Sequence, residues 1–238
     1  ALRRGYVAKG HGGQKRAFKV KLVGEGVNDY SGPYREAFTD AVVEALRSDD
    51  EGHGVLGVLD PSPNNAASIG ENRDFFMFSL NGRHLEDVRL GLQGATAAEE
   101  SIRRGLLSLM VPRDEASREV EEALVFLGRI AGTAFRHGIS LDLPLPLQSV
   151  WKELTENPVD PADKLRELDY LAYRQLQESG HAAEESPLII WQQHMLNSFA
   201  EGLSHVLPME ILPLLSGEEL RDTLCGNPEV DVGLLKQV

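Results

Sequence analysis

The apolar positions of this chain recur mostly at helical spacing, and they predict a helical protein with a few short strands. The longest regular stripe comprises Val120, Leu124, Leu127, Ile130, Ala131 and Ala134, which predicts a central buried helix. Gly128 and Gly132 lie within the same stretch. Because a glycine in a helix interior costs about 1 kcal/mol relative to alanine, we expect a neighbouring element to approach this helix closely.

The same spacing predicts helices over residues 33–45, 97–110 and 162–177, another from about residue 188, and a short one from Trp151. Ser31 is placed to cap the first of them, with Pro33 in its first turn. The expected inward positions are Tyr34, Phe38, Ala41, Val42 and Ala45 in the first helix, Leu165, Leu168, Ala172 and Leu176 in the third, and Ile189, Leu196, Phe199, Leu203 and Val206 in the fourth.

The last predicted helix has sequence-encoded ends. Ser216 and Glu219 form a capping box, in which each side chain bonds the backbone of the other, and Gly226 can end the helix in a left-handed conformation. Leu220 and Leu224 are expected to face inward, and Cys225 falls in the final turn.

Short apolar runs bounded by Gly, Pro and Asn predict strands at residues 18–23, 55–59 and 75–78. The last two flank residues 61–65, Pro-Ser-Pro-Asn-Asn, which predict a turn. Residues 141–147 contain two prolines and should form an extended connector held by its leucines. Together these patterns predict a predominantly helical α+β fold.

Composition narrows the classes of protein that fit. A chain of 238 residues with 42% apolar content can bury a substantial core. No run approaches the roughly 18 to 20 apolar residues of a membrane span, and the first residues lack the apolar core of a signal peptide. A single cysteine excludes an internal disulfide framework and favours a reducing compartment, so we predict a cytoplasmic protein, with the nucleus as the alternative.

Charge is unevenly distributed along the chain. The net charge is −13, yet residues 1–24 hold only basic charged side chains. We interpret residues 1–17 as a basic arm or linker, and an acidic body of this kind should repel nucleic acid. Since the sequence does not start with Met and stops inside a predicted helix, we expect a fragment of a longer protein.

No catalytic or metal centre is defensible from the residues alone. Cys225 is the one possible cysteine nucleophile, but Thr223, Leu224 and Gly226 supply neither a base nor a positive field, so a structural role is predicted. His194 and His205 are eleven residues apart, about 16 Å along a helix, which is too far to share a metal ion. No cofactor is predicted, because the Gly-rich turn after residue 23 lacks the Lys-Ser/Thr of a phosphate-binding loop.

Four segments in order resemble one family. They are residues 23–38, residues 61–65 with 71–78, residues 126–134 (FLGRIAGTA) continuing through 138–139 and 141–144 to 150–152, and residues 224–228 with 230–231 and 234–236. Together they resemble the amino-terminal lobe of HECT-type ubiquitin-protein ligases, closest in style to the giant HERC-like ligases. The resemblance covers residues 18–238.

The resemblance implies a ligase that takes ubiquitin from a charged conjugating enzyme onto its own cysteine by transthiolation and transfers it to lysines of protein substrates. In that family the accepting cysteine lies in a carboxy-terminal lobe, here expected in cis after Val238, so the fragment alone is predicted to be inactive. The partners implied are the conjugating enzyme, substrates and that second lobe, with no nucleic acid and no membrane.

One departure from the family concerns the small subdomain that binds the conjugating enzyme. Only residues 177–188 join the two helices between which that subdomain normally lies, so it is predicted to be missing or truncated there. A partial docking edge is expected at Leu168, Leu171, Tyr173 and Leu176, for which ordinary packing is the competing interpretation. The competing functions are a non-catalytic interaction module built on a degenerate lobe and, third, a helical hydrolase that uses Cys225.

Overall fold

The computed structural model describes residues 8–9, 15–16, 32–46, 58–70, 72–80, 115–155, 159–180 and 182–226. Within these ranges the protein is predominantly helical and has two antiparallel sheets of two strands each. Strand β1 (Ala8–Lys9) pairs with β2 (Lys15–Arg16), and β3 (Leu59–Pro61) pairs with β4 (Phe76–Phe78) with Leu59 opposite Phe78. The predicted α+β class is confirmed.

The helices follow the predicted order. They are α1 (Gly32–Leu46), α2 (Pro63–Ala67), α3 (Glu115–His137), a π-helix (Leu147–Lys152), α4 (Glu153–Thr155), α5 (Pro161–Leu168), α6 (Tyr170–Ser179), α7 (Pro187–Ser204) and α8 (Gly217–Cys225). Short 3₁₀ helices at Ala183–Glu185 and Met209–Leu214 connect α6 to α7 and α7 to α8. None of these helices is long and apolar enough to cross a membrane.

Helices α3 and α7 pack against each other at the centre of the core. All six residues of the predicted α3 stripe are buried, as are the five inward positions predicted in and just after α7. A methyl group added at Gly128 would collide with the carbonyl oxygen of Phe199, and one added at Gly202 would collide with that of Val125. The close approach predicted from the glycines is therefore confirmed, because the two backbones touch where both helices lack side chains.

The elements at the two ends of the described core also match their patterns. Tyr34, Phe38, Val42 and Ala45 of α1 are buried, whereas Ala41 is half-buried. The capping box of α8 is present, with Glu219 N donating to Ser216 Oγ and Ser216 N donating to Glu219 Oε2. Gly226 follows α8 at φ 80° and ψ 163°, so its φ is positive but it does not adopt the left-handed helical conformation predicted for it.

The proline-containing connector is extended and buried, as predicted. Leu141, Leu143 and Leu145 are at most 3% exposed, and Leu141 N donates to Leu224 O at 2.6 Å, which ties the connector to α8. The helix predicted from Trp151 begins earlier, at Leu147, and its first six residues form a π-helix. The amide groups of Gln148 and Ser149 find acceptors in a distant carboxylate, and a local sequence pattern does not contain that interaction.

The prediction of one continuous helix over residues 162–177 is wrong. The chain forms α5 and α6 separately, because Asp169 between them adopts φ −141° and ψ 88°. Residues 61–65, predicted as a turn, contain the start of the short helix α2 (Pro63–Ala67), which Ser62 caps. The strand at 18–23, the cap at Ser31 and the helix at 97–110 lie outside the described residues.

Candidate functional site

A junction of buried polar side chains lies where α2 meets the break between α5 and α6. The Asn64 side chain is fully buried, and its Nδ2 donates to the carbonyl oxygens of Arg166 (3.1 Å) and Glu167 (2.9 Å). Its Oδ1 accepts from Tyr170 N at 2.8 Å. We call this group the Asn64 junction. It satisfies backbone groups at the interrupted helix, so it fixes the direction in which α6 leaves α5.

Asp169 completes the break from within the chain. It is fully buried, and its Oδ1 accepts from Ala172 N at 3.0 Å, which caps the first turn of α6. Asp169 N still donates to Leu165 O at 2.7 Å, so α5 closes normally before the chain turns. The two helices are therefore held at a defined angle by side chains rather than by a flexible linker.

The Glu167 carboxylate connects this junction to the π-helix. It accepts hydrogen bonds from the amide of Gln148 and from both the amide and the hydroxyl of Ser149, at 2.9 to 3.2 Å. Burial raises the pKa of Glu167 above its ordinary value, and these hydrogen bonds lower it in part. The carboxylate thus takes the place of a capping residue for the π-helix amino terminus.

A buried cation also connects α5 to α4 and α7. Lys164 is 7% exposed, and its Nζ lies 2.7 Å from Glu153 Oε2 of α4 and 3.2 Å from Gln193 Oε1 of α7. Because breaking a buried ion pair leaves one charge uncompensated, this contact strongly favours one position of α5 relative to α4 and α7.

The structure divides the four residues predicted as a conjugating-enzyme edge into two pairs. Leu168 and Leu176 are buried in the core, whereas Leu171 is 48% exposed and Tyr173 is half-buried. Tyr170 is also exposed, and its ring centroid lies 6.3 Å from that of Tyr173. Arg174 and other polar residues of α6 are exposed as well, and we use the name exposed face of α6 for the large apolar and aromatic side chains Tyr170, Leu171 and Tyr173 alone. The predicted edge did not include Tyr170, which the restart of the helix after Asp169 places one turn before Tyr173.

The connection between α6 and α7 is short. Gly180 ends α6 with φ 72°, a 3₁₀ turn follows at Ala183–Glu185, and α7 begins at Pro187. Leu176 and Leu188, which flank the connection, are both buried. The two helices are thus packed into the same core on either side of the segment where the small subdomain was predicted to be missing.

Cys225 lies in the last turn of α8, where its Sγ donates to Leu143 O at 3.5 Å. Burial raises the pKa of this thiol to about 11, so it is protonated at neutral pH. Since the thiolate is the nucleophilic form of cysteine, this environment suppresses reactivity and fits the structural role predicted for the residue.

The two histidines of the α7 region bind different partners. His194 Nε2 lies 2.9 Å from Glu121 Oε1, and His205 Nδ1 accepts from Arg129 Nε at 2.9 Å. Among the described residues, no group of three or more His, Cys, Asp or Glu side chains is arranged to hold a metal ion.

Known proteins with sequences similar to this chain are named as ubiquitin ligases. No family model matches the chain. The chain is 24% identical to human E3 ubiquitin-protein ligase HERC2 and 25% identical to the mouse protein, in both cases over 94% of its length. It is also 25% identical to human "probable E3 ubiquitin-protein ligase HECTD4" over 49% of its length. These matches confirm the resemblance to the amino-terminal lobe of a HECT-type ubiquitin ligase.

The lengths of the alignments carry further information. The chain spans 5% of the HERC2 proteins and 4% of HECTD4. The alignment with HERC2 extends over 266 residues although the chain has 238, and that with HECTD4 extends over 182 residues although it uses only 49% of the chain. Each relative therefore has additional residues inside the matched stretch.

Proposed function

We propose that this chain is the scaffold lobe of a HECT-type ubiquitin-protein ligase. The observation that carries the proposal is the match to named ubiquitin ligases over 94% of the chain. The parent protein would receive ubiquitin by transthiolation on a cysteine located after Val238 and pass it to substrate lysines. The chain itself would position the conjugating enzyme and the carboxy-terminal lobe without taking part in the chemistry, and the parent would act in the cytoplasm or nucleus.

The Asn64 junction supports this assignment of roles. Asn64 and the π-helix lie in or beside segments that carry the family resemblance, namely residues 61–65 and residues 138–139 and 141–144 with 150–152. Asn64 Oδ1 accepts from Tyr170 N at the start of α6, and Ser149 N of the π-helix donates to Glu167 near the end of α5. One of the resembling segments thus supplies a side chain that orients α6, as expected if the direction of α6 matters for docking.

We propose that the exposed face of α6 (Tyr170, Leu171 and Tyr173) is a partial docking edge for the conjugating enzyme, with Leu168 and Leu176 anchoring it from the core. An exposed leucine beside two tyrosines offers the apolar and aromatic contacts that dominate binding energy at interfaces. The additional residues of the relatives are consistent with a small subdomain that this chain lacks between α6 and α7. Docking through α6 alone would then be weak.

The docking edge is tested by replacing Leu171 with Ala in the parent protein. We expect ubiquitin transfer from the charged conjugating enzyme to slow several-fold, with a raised half-saturating concentration of conjugating enzyme, because truncating a central apolar contact costs about 1 to 2 kcal/mol. Leu214→Ala is the matched control, since Leu214 is an 80% exposed leucine outside α6. Equal transfer rates for both variants would show that α6 is not part of the docking surface.

The second candidate is a non-catalytic interaction module built on a degenerate lobe. The shortened connection between α6 and α7 favours it, because a lobe that lacks the small subdomain has less surface for a conjugating enzyme. The coding sequence after Val238 discriminates the two candidates. A cysteine in a short Thr-Cys-Phe-like context supports the ligase, whereas the absence of a downstream cysteine leaves only the interaction module.

A further inference from the structure

A polar groove of about 750 Å³ lies beside the Asn64 junction, and Gln148, Arg166 and Tyr170 are among the residues that line it. Three arginines from separate parts of the chain line it. Arg73 follows α2, Arg166 lies on α5 and Arg221 lies on α8. Tyr170 and Tyr173 of α6 supply two aromatic side chains at its wall. The volume lies within the range of about 300 to 1,000 Å³ found for ligand-binding clefts.

A cluster of three arginines is unusual in a chain with this acidic composition. The protein has a net charge of −13 with 37 acidic residues against 24 lysines and arginines, so convergence of three guanidinium groups on one groove runs against the composition. The long-range field of the molecule would repel an anion. An anionic ligand that binds here must therefore be held by local contacts rather than by general electrostatic attraction.

Acidic side chains also lie at the groove, since Glu167 and Asp163 line it and Asp222 pairs with Arg221, but each of them already has a partner. The Glu167 carboxylate on the groove floor is 4% exposed and already accepts three hydrogen bonds from Gln148 and Ser149 at one oxygen. The pair between Arg166 and Asp163 is about half exposed on both sides, with 57% and 46% exposure. Since ion pairs between exposed side chains are weak, a ligand anion can replace Asp163 as the partner of Arg166 at little cost.

Each arginine also keeps donor capacity. Arg73 uses its Nε for Gly70 O, Arg166 uses one terminal nitrogen for Asp163, and Arg221 uses two nitrogens for Asp222. A guanidinium group has five N–H donors in a planar fork, which matches carboxylate and phosphate oxygens. The groove thus combines several donors for oxyanions with two phenol rings that can cover the aliphatic part of a peptide.

We propose that this groove binds an acidic peptide segment of a partner protein, with Arg73, Arg166 and Arg221 contacting its carboxylate or phosphate groups and Tyr170 and Tyr173 packing on its backbone. The inference goes beyond the proposed function, because it requires neither a conjugating enzyme nor a second lobe. A peptide held here would lie against α6, so it would also occupy part of the surface at Tyr173.

The test measures fluorescence anisotropy of labelled peptides of equal length on the 238-residue chain. One peptide is rich in Glu, one replaces every Glu with Gln, and one carries phosphoserines in place of the Glu residues. We expect the two charged peptides to bind and the Gln peptide to bind at least about tenfold more weakly, because hydrogen bonds from a guanidinium group to an anionic acceptor are stronger than those to a neutral amide oxygen. The ratio of the two charged peptides identifies whether carboxylate or phosphate is the preferred group.

The variants are Arg166→Glu and its matched control Arg174→Glu. Arg174 lies on α6 in an exposed pair with Glu178, at 59% and 68% exposure, and it does not line the groove. Both substitutions change the net charge equally and break one surface ion pair. Arg166→Glu should weaken binding of the charged peptides about tenfold or more, whereas Arg174→Glu should leave it within about twofold.

Three results would overturn the proposal. They are no binding of either charged peptide at millimolar concentration, equal binding of the Gln peptide, or equal weakening by the two arginine variants. A thermal melt of each variant shows that both are folded. Because the assay contains no ubiquitin and no conjugating enzyme, its outcome is independent of whether the parent protein is a ligase.

Discussion

Single side chains with many hydrogen bonds determine the local shape of the region around α6. Asn64 contributes three hydrogen bonds to backbone groups more than a hundred residues away in sequence, and it is fully buried. Its neighbour Asn65 contributes one from Nδ2, to Phe75 O at 3.2 Å. The pair of asparagines allows a direct comparison of their roles.

Asn64→Ala should lower the free energy of unfolding by about 3 kcal/mol, because it leaves several buried backbone groups without partners, each worth about 1 to 3 kcal/mol. Asn65→Ala should cost about 1 kcal/mol by the same reasoning. Urea unfolding of both variants measures the difference. If the two asparagines had equal effects, the Asn64 junction would not be the main constraint at the break between α5 and α6.

Glu167 gives the stability a dependence on pH. Its pKa is raised in the folded protein, so between the unfolded value and the raised value the folded protein holds a proton that the unfolded chain has released. Stability from this group is therefore fully present below the unfolded pKa near 4.5 and decreases as the pH rises through the folded pKa.

Glu167→Gln removes this titration and serves as the comparison. The difference in free energy of unfolding between the native protein and the variant should shrink as the pH rises from 4 through the raised pKa, and then level off. Urea unfolding at a series of pH values measures it. A difference that grows with pH over this window would mean that the pKa of Glu167 is lowered rather than raised.

At the residue scale, two expectations drawn from the sequence differ from the structure. Periodicity predicted a single helix across Asp169 because Leu165, Leu168, Ala172 and Leu176 keep helical spacing on both sides of it. Asp169 caps α6 from within the chain, but Asn64, which binds the backbone on both sides of the break, is more than a hundred residues away and belongs to no local pattern. The docking edge implied by the family resemblance also included Leu168 and Leu176, although their place in a regular apolar stripe puts them on the inward face. Docking residues should be sought on the other face, where Tyr170 and Leu171 lie.

At the scale of elements, the α3–α7 pair was predicted well. The apolar stripe and the internal glycines of α3 were both visible in the sequence, and each has a direct structural counterpart. The partner that approaches α3 could not be identified from the sequence, because Gly202 is a single glycine in α7 and carries no pattern of its own. The π-helix was missed for a related reason, since its amide groups are satisfied by Glu167 from α5.

Gly128→Ala tests the close approach of α3 and α7. Helix propensity alone would make this substitution stabilising by about 1 kcal/mol, but the added methyl group collides with the backbone of α7, so we expect a net loss of about 1 to 3 kcal/mol. Gly32→Ala in α1 is the control, because nothing lies within 4 Å of the added methyl group. Thermal unfolding of both variants is the measurement, and stabilisation by Gly128→Ala would show that the helices are farther apart than described.

At the scale of the whole molecule, the proposed binding features lie on one face. The helix pair α3–α7 forms the core, while the Asn64 junction, the exposed face of α6 and the arginine-lined groove share the region around residues 166–173. This is also the region just before the short connection to α7, at which the relatives are proposed to carry their additional residues. Both proposed binding surfaces therefore lie on this face.

The sequence predicted the α+β class, and it carried the family resemblance. It did not predict the groove, because Arg73, Arg166 and Arg221 are far apart in the chain and each stands among acidic neighbours. Only the packing of α2, α5 and α8 brings them together. The second proposed binding surface therefore becomes visible only in the folded structure, whereas the family resemblance was visible in the sequence.

Thioester formation by the parent protein tests the central proposal most directly. Parent protein, the variant Cys225→Ala, a variant lacking the downstream cysteine and the 238-residue chain alone are each incubated with activating enzyme, conjugating enzyme and ubiquitin, and resolved on non-reducing gels. We predict a reductant-sensitive ubiquitin adduct on the parent and on Cys225→Ala, and none on the other two. An adduct on the 238-residue chain that Cys225→Ala abolishes, or no adduct on the parent with any conjugating enzyme, would contradict the account.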